Sequence, residues 1–204
     1  MTAVGAMNWA MLAFVYHLAS RLAYVVGIGA ALAAQDRQQI FTRRAGVEVG
    51  FARFRRLASM LMSNDALSFV LLCVSTQQSF PEFASERALA VAGLVLIAVG
   101  VSVRLWANAL LGSAAYYWHN FFAPDDALVP ERRGPYRFLK NPMYSLGYMH
   151  TYGIALFCGS LPGLLAAVVG QLLILIFCEV VEKPHFDALT KATVALGSLP
   201  AKSA

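Results

Sequence analysis

Long apolar stretches separated by short polar segments make up most of this chain. Five stretches are apolar enough to form membrane helices, and they cover residues 6–34, 57–76, 88–111, 143–158 and 161–181. A helix needs about 20 apolar residues to cross the hydrocarbon core of a bilayer. The fourth stretch is short for a full crossing, which a helix packed inside a bundle tolerates. The pattern predicts an all-α fold, a polytopic membrane helical bundle of about five transmembrane helices.

The composition supports an integral membrane protein. Of the 204 residues, 59% are hydrophobic and 13% are charged, and the mean hydropathy is +0.61; soluble proteins average about 25% charged residues. Cys73, Cys158 and Cys178 lie within or beside apolar stretches without metal-ligand spacing, so we interpret them as packing residues. We expect a single domain over 1–204, with N-terminal helices in 1–87, a core in 88–189 and a tail in 190–204.

Basic residues concentrate in the polar segments and predict the orientation of the chain. One basic segment contains Arg37, Arg43, Arg44, Arg53, Arg55 and Arg56, and a second contains Arg132, Arg133, Arg137 and Lys140. Short basic loops mark the cytoplasmic side of a membrane, so five crossings place the N-terminus outside and the C-terminus in the cytoplasm. Orientation also explains the net charge of +5, and we expect no nucleic-acid binding.

Several polar side chains fall inside the apolar stretches, where a charge in contact with lipid is costly. Arg21 is expected to face a helix partner or water, with a substrate phosphate as the alternative. Glu179 is either an ion-pair partner of Arg104 or a site residue, and His150 is expected to form an interhelical hydrogen bond. The aromatic residues of 116–122 are typical of the belt at a membrane interface.

The last two apolar stretches are predicted to form a helical hairpin, because only a short turn around Gly159 and Pro162 separates them. Such a hairpin brings its two polar ends together at one membrane face. It would make Arg137, Lys140, Asn141 and Tyr144 neighbours of Glu179, Glu182 and His185, although about 40 residues of chain lie between them. A polar pocket at this face is the predicted site.

Three short motifs flank the hairpin. They are Gly134-Pro135-Tyr136-Arg137, then Lys140-Asn141-Pro142-Met143-Tyr144 with Gly147 following, and finally Glu182-Lys183-Pro184-His185. Together they resemble the membrane methyltransferases, which include the phosphatidylethanolamine N-methyltransferases and the isoprenylcysteine carboxyl methyltransferases. Lys140-Asn141 stands where Arg-His is common, and Glu182-Lys183 stands where Glu-Glu is common. The resemblance covers about half of the chain and looks greatest to the phosphatidylethanolamine branch.

The resemblance implies S-adenosylmethionine as methyl donor, bound at the cytoplasmic mouth of the hairpin, and a phospholipid substrate that enters from the bilayer. Glu182 suits the donor's ammonium group, and Arg137 or Lys140 suits its carboxylate. Gly93 and Gly100 would let the third helix approach the ligand or the hairpin closely. The candidate cofactor contacts are Tyr136, Arg137, Lys140, Asn141, Met143, Tyr144, Gly93, Gly100, Glu182 and Lys183.

Methyl transfer is an in-line displacement that needs no metal, so its acceleration comes from positioning and exclusion of water. An ethanolamine ammonium has no lone pair, and some group must accept its proton. The candidate catalytic residues are His185, Tyr144, Glu179 and His119. Among these side chains, imidazole titrates nearest to neutral pH, which favours His185.

The favoured hypothesis is N-methylation of the phosphatidylethanolamine headgroup, or of its methylated intermediates, at the cytoplasmic face of a bacterial inner membrane or an equivalent membrane. An isoprenylcysteine-type carboxyl methyltransferase is an alternative, and its anionic acceptor needs no general base. A second alternative is a sterol-reductase-like membrane oxidoreductase, which would bind a nicotinamide cofactor. The motif Glu182-Lys183-Pro184-His185 argues against this alternative. A non-catalytic scaffold would bind no adenosyl ligand. The sequence does not predict the oligomeric state.

Overall fold

The computed structural model describes the backbone of residues 3–81, 85–123 and 133–197 and the side chains of 9–81, 85–123 and 133–191. These ranges contain helices and turns and no strand. The main helices are α1 (Ala3–Gln38), α2 (Gly46–Ser75), α3 (Glu86–Tyr116), α4 (Met149–Phe157), α5 (Leu161–Phe177) and α6 (Lys183–Gly197). Short 3₁₀ turns cover His119–Phe121, Gly134–Arg137 and Leu146–Tyr148, and a π-helical segment, Cys178–Glu182, joins α5 to α6. Arg132, of the second predicted basic segment, lies outside the described residues.

Four helical segments of the described chain are long and apolar enough to cross a membrane, namely Trp9–Gln38, Gly46–Ser75, Glu86–Phe121 and Leu161–Lys191. The predicted all-α polytopic membrane bundle is therefore confirmed, whereas the count of about five crossings is not. The expected fourth crossing contains a turn after Pro142, a 3₁₀ turn and α4, which has nine residues. A helix of that length is only about 14 Å long.

The second apolar helix begins earlier than its hydrophobic pattern indicates. We expected residues 35–56 to be a loop, but α2 starts at Gly46 and includes Arg53. Phe51, Phe54 and Ala58 are buried along one side of this first part. Spacings of three and four residues place them on one helical face, so packing extends the helix through a basic segment.

Helices α1 and α2 run antiparallel and are joined by polar contacts inside their apolar surfaces. Arg21 Nη2 lies 2.9 Å from Asp65 Oδ2, and both side chains are buried. One turn away, His17 Nδ1 lies 2.9 Å from Ser68 Oγ. A charge in a membrane interior is stable only when it is paired or hydrated. Of the alternatives for Arg21, the structure therefore shows the helix partner, which is Asp65.

Helix α4 runs antiparallel to α3 at close range because glycines lie in their interface. A Cβ atom on Gly93 would lie 2.7 Å from the carbonyl oxygen of Gly153 and 2.7 Å from the amide nitrogen of Phe157. A Cβ atom on Gly100 would overlap the backbone of His150. Small residues let helix backbones approach in this way. We therefore assign Gly93 and Gly100 to helix packing rather than to the cofactor site.

Helices α4 and α5 are joined by a turn that is fastened to the end of α2. Ser160 Oγ accepts a hydrogen bond from the amide of Gly163 and so caps α5. The same hydroxyl lies 2.6 Å from Thr76 Oγ1 at the end of α2. Farther from the turn, Tyr152 Oη donates to Gln171 Oε1 at 2.6 Å. The chain thus folds back on itself, and α5 ends beside the segment that precedes α4.

An aromatic cluster fills the bundle where α3 ends. Trp118, Phe121 and Phe122 are each about 95% buried. Trp118 packs against Phe54 and Phe177, and Phe122 packs against Phe54. The interface-belt prediction is wrong for these three residues. The chain turns inward because Trp118 has a left-handed backbone conformation, with φ of +55°, and this directs the following residues beneath α1 and α2.

We expect Gly93→Ala to lower the free energy of unfolding by about 1–3 kcal/mol, because the added methyl group overpacks a backbone contact. The measurement is denaturant or thermal unfolding of the purified protein in detergent. Gly27→Ala is the matched control, because a Cβ atom there would meet its nearest neighbour at 3.9 Å. Equal stabilities of the two variants would contradict the close packing of α3 and α4.

Candidate functional site

Glu182 is a buried carboxylate at the end of the π-helical segment, and only 8% of the residue is exposed. Trp118 Nε1 and Tyr144 Oη each donate a hydrogen bond to its Oε1 atom at 2.5 Å. Both donors are neutral. No cationic side chain in the described part of the chain lies within ion-pairing distance of Glu182. The carboxylate therefore has its hydrogen bonds but lacks a compensating positive charge, which favours binding of a cation here.

The charged residues next to Glu182 in sequence face the protein surface rather than the buried site. Glu179 and Lys183 are exposed and form an ion pair with each other at 2.7 Å. The ion pair of Glu179 with Arg104 that was one of our two expectations is therefore wrong, and its other interpretation, as a site residue, stays a prediction. The π-helical segment has wider i→i+5 turns than an α-helix, so residues three apart are rotated farther from one another around its axis.

The segment that precedes α4 meets the end of α5. Asn141 Nδ2 donates to Cys178 Sγ at 3.0 Å, and Tyr144 Oη reaches Glu182. Gln171 Nε2 donates to the carbonyl oxygen of Tyr144 at 3.1 Å, which fixes this turn against α5. Two of the four predicted neighbours from this segment thus lie beside the end of the hairpin.

The other predicted residues of this segment lie elsewhere. Arg137 and Lys140 are exposed and make no described contact with Glu182. The Arg137 guanidinium lies over the ring of Phe138, with 5.7 Å between Cζ and the ring centroid. Tyr136 is half-buried, and Met143 lines the cavity described below. Roles for Arg137 and Lys140 in holding a carboxylate remain predictions.

His185 is enclosed by two hydrogen-bond acceptors. Its Nδ1 atom lies 2.8 Å from Asp36 Oδ1, and its Nε2 atom lies 3.3 Å from the carbonyl oxygen of Asn120. The ring stacks on Phe121 with 3.7 Å between centroids. Both ring nitrogens thus have a hydrogen-bonding neighbour, and His185 links α6 to α1 and to the turn after α3.

His119, a candidate catalytic residue, and His150, which lines the cavity described below, make no described contact with Glu182. The ring of His119 meets the ring of Phe51 edge-on, with 4.6 Å between centroids. His150 Nδ1 lies 2.6 Å from the carbonyl oxygen of Gly147, within its own segment. The interhelical hydrogen bond expected for His150 is therefore wrong, because the turn before α4 supplies a nearer acceptor.

A cavity of about 170 Å³ lies inside the bundle next to Glu182's two donors. Trp118 and Tyr144 form part of its wall, and Arg21, Asp65 and Arg104 line it as well. Sequence reasoning did not place Asp65 or Trp118 in a site. Asp65 could have been singled out because it is an ionisable residue near an apolar stretch. Nothing in the sequence distinguishes the buried Trp118 from an aromatic residue of the membrane interface.

These features define a polytopic helical membrane protein with a buried carboxylate beside an internal cavity. Comparison with known families identifies the class further. Residues 89–190, which make up half of the chain, match the family described as phospholipid methyltransferase. The chain belongs to the phospholipid methyltransferase family.

Curated relatives are longer proteins that are named phosphatidylethanolamine N-methyltransferase. The protein from Pyricularia oryzae is 33% identical over 138 residues, which cover 66% of this chain and 14% of the relative. The protein from Meyerozyma guilliermondii is 31% identical over 150 residues, covering 67% and 17%. That from Saccharomyces cerevisiae strain S288c is 29% identical over 136 residues, covering 66% and 15%. The chain thus spans less than a fifth of these relatives. No solved structure matches.

Proposed function

We propose that this protein transfers a methyl group from S-adenosylmethionine to the amine of a phosphatidylethanolamine headgroup or of its partly methylated forms. Family membership and the names of the curated relatives support phospholipid N-methylation. S-adenosylmethionine is proposed as the donor because Glu182 is a buried carboxylate whose described partners are all neutral. A cationic ligand would supply the charge that this carboxylate lacks.

The site residues fit a sulfonium donor in charge and position. S-adenosylmethionine carries a methyl group on a cationic sulfur. The acceptor nitrogen attacks the methyl carbon in line with the carbon–sulfur bond, and the sulfur leaves as a neutral thioether. Glu182 compensates the donor's positive charge, while Trp118 and Tyr144 hold the carboxylate in one orientation. The surrounding aromatic cluster excludes water, so the positioned groups act in a medium of low dielectric constant.

The acceptor ammonium must lose a proton before its nitrogen can attack. Tyr144 is the one predicted candidate that both lines the cavity and contacts Glu182. We place the transfer along this contact: the ammonium proton moves to Tyr144 Oη as the proton of the tyrosine hydroxyl moves to Glu182 Oε1. Glu182 then releases this proton to bulk water, so the carboxylate is ionised again before the methyl group is transferred. His185 is engaged with Asp36 and Asn120, and Glu179 is exposed.

An assay with purified protein tests the reaction directly. The protein is incubated in mixed micelles with methyl-labelled S-adenosylmethionine, phosphatidylethanolamine and a prenylated cysteine, and the products are separated by chromatography. We expect the label on the lipid amine, in mono-, di- or trimethylated headgroups. Label on the cysteine carboxylate with none on the lipid would overturn the proposal and identify a carboxyl methyltransferase.

We expect Glu182→Gln to weaken binding of S-adenosylhomocysteine, whose α-ammonium group remains cationic, by at least about tenfold, since a hydrogen bond to a charged group contributes about 1.5–3 kcal/mol. Titration calorimetry measures this affinity. Asp187→Asn is the matched control, because it removes one negative charge from the exposed surface of α6. An unchanged affinity in Glu182→Gln would remove Glu182 from the donor site.

Tyr144→Phe is expected to slow turnover by about 100-fold, the lower range for loss of a general acid or base, while the affinity for S-adenosylhomocysteine changes far less. Single-turnover rates and titration calorimetry separate the two effects. Tyr16→Phe removes a phenol whose hydroxyl donates to Asn64 on the exposed side of the bundle, and it serves as the control. Unaltered turnover in Tyr144→Phe would exclude the proposed proton path.

A further inference from the structure

The internal cavity has an excess of positive charge among its described lining residues. Arg21 and Asp65 both line it, and they compensate each other as an ion pair at 2.9 Å. Arg104 lines it too, and its Nη2 atom donates to the neutral hydroxyl of Tyr116 at 2.8 Å. Within the described part of the chain no carboxylate lies within ion-pairing distance of Arg104. Arg104 is half-buried, and a guanidinium in a membrane-spanning helix without a carboxylate partner favours an anionic ligand.

The ion pair beside Arg104 has hydrogen-bonding capacity to spare. Arg21 Nε and Asp65 Oδ1 are buried and have no hydrogen-bond partner among the described residues. Both residues are more than nine-tenths buried. Helix α5 makes room for this arrangement at Gly170, where a Cβ atom would lie 3.3 Å from Arg21 Nε. Since buried polar groups are normally hydrogen-bonded, one donor and one acceptor on this wall point to a polar ligand with groups of both kinds.

The cavity adjoins the lipid-facing surface of the bundle. Ala66 and Val70 of α2 line it, yet both are exposed, Val70 by 41%. They belong to a helix that is long and apolar enough to cross the membrane, so their exposed surface faces lipid. On the other side, Trp118 and Tyr144 contact Glu182. A ligand in the cavity would therefore lie between the bilayer and the buried carboxylate.

We propose that this cavity binds the zwitterionic headgroup of a membrane phospholipid, with the Arg104 guanidinium on the phosphate. A guanidinium matches the geometry of a phosphate through paired hydrogen bonds, and the free atoms of the Arg21–Asp65 pair suit a ligand that has both charges. Arg21 and Asp65 lie outside residues 89–190, the part that matches the family. That the bound lipid is also the methyl acceptor rests on the proposed function.

Lipid binding tests this site independently of catalysis. Purified protein is titrated with phosphatidylethanolamine, with diacylglycerol of the same acyl chains and with soluble phosphoethanolamine, and bound lipid is counted by native mass spectrometry. We expect phosphatidylethanolamine to bind at least about tenfold more tightly than diacylglycerol, since the phosphate adds hydrogen bonds to a charged group. Equal binding of the two lipids would overturn the proposal. Phosphoethanolamine competing as well as the lipid would show that the site recognises the free phosphate ester and not a lipid.

Arg104→Gln should abolish that preference. Its described hydrogen-bond partner is the neutral Tyr116, so the substitution leaves no buried carboxylate without its cation. Arg87→Gln, at the exposed start of the same helix, is the matched control and should bind like the unsubstituted protein. Arg104→Lys keeps the charge and should retain part of the preference. An unchanged preference in Arg104→Gln would overturn the assignment, and if that variant does not fold, the comparison of the two lipids decides.

Kinetics place the site within the reaction. Arg104→Gln should raise the KM for phosphatidylethanolamine by at least about tenfold, with the affinity for S-adenosylhomocysteine unchanged. Weaker binding of S-adenosylhomocysteine with an unchanged lipid KM would assign Arg104 to the methyl donor and overturn the inference. If the protein binds phosphatidylethanolamine selectively but never methylates it, the proposed function fails and the lipid site stands.

Discussion

One carboxylate oxygen holds three distant parts of this chain in place. Glu182 Oε1 accepts hydrogen bonds from Tyr144, 38 residues earlier, and from Trp118, 64 residues earlier. An unmet charge in a buried position costs several kcal/mol, so a conformation in which these donors move away from Glu182 is strongly disfavoured. The end of α3, the turn before α4 and the end of α5 consequently have one mutual arrangement, and the cavity wall follows from it.

Unusual backbone conformations lie in the segments that meet at this oxygen. Trp118 is a non-glycine residue with φ of +55°, and the helix before it is kinked at Gly112, with φ of +78°. The Cys178–Glu182 segment is π-helical. Glycine adopts a positive φ readily, but the conformation of Trp118 and the π-helical segment are locally unfavourable and persist where surrounding contacts impose them. The hydrogen bonds to Glu182 are contacts of that kind, since they need Trp118 turned inward and Glu182 rotated away from the exposed Glu179.

The sequence indicated the parts of this architecture that depend on local pattern. Apolar length predicted the membrane bundle, and the short turn near Gly159 predicted that Tyr144 would approach Glu182. The inward position of Trp118 depends on one left-handed residue, and the fourth stretch is broken by the turns before α4, which include the 3₁₀ turn Leu146–Tyr148. Neither feature changes the hydrophobic pattern, so periodicity could not reveal them. The pairing of Arg21 with Asp65 is a tertiary contact between residues 44 apart, for which an ionisable residue in an apolar stretch gives only a general expectation.

The uncompensated charges of Arg104 and Glu182 bear on both the binding of the two substrates and the release of the spent donor. Arg104 lines the cavity, and Glu182 lies behind two residues of its wall, Trp118 and Tyr144. Charges interact more strongly in a medium of low dielectric constant than in water, so under the proposed function Glu182 favours the cationic donor and Arg104 favours the lipid phosphate. Methyl transfer moves a positive charge from the donor sulfur to the acceptor nitrogen. Glu182 therefore attracts the spent donor less than the fresh one, and this difference favours exchange after each turnover.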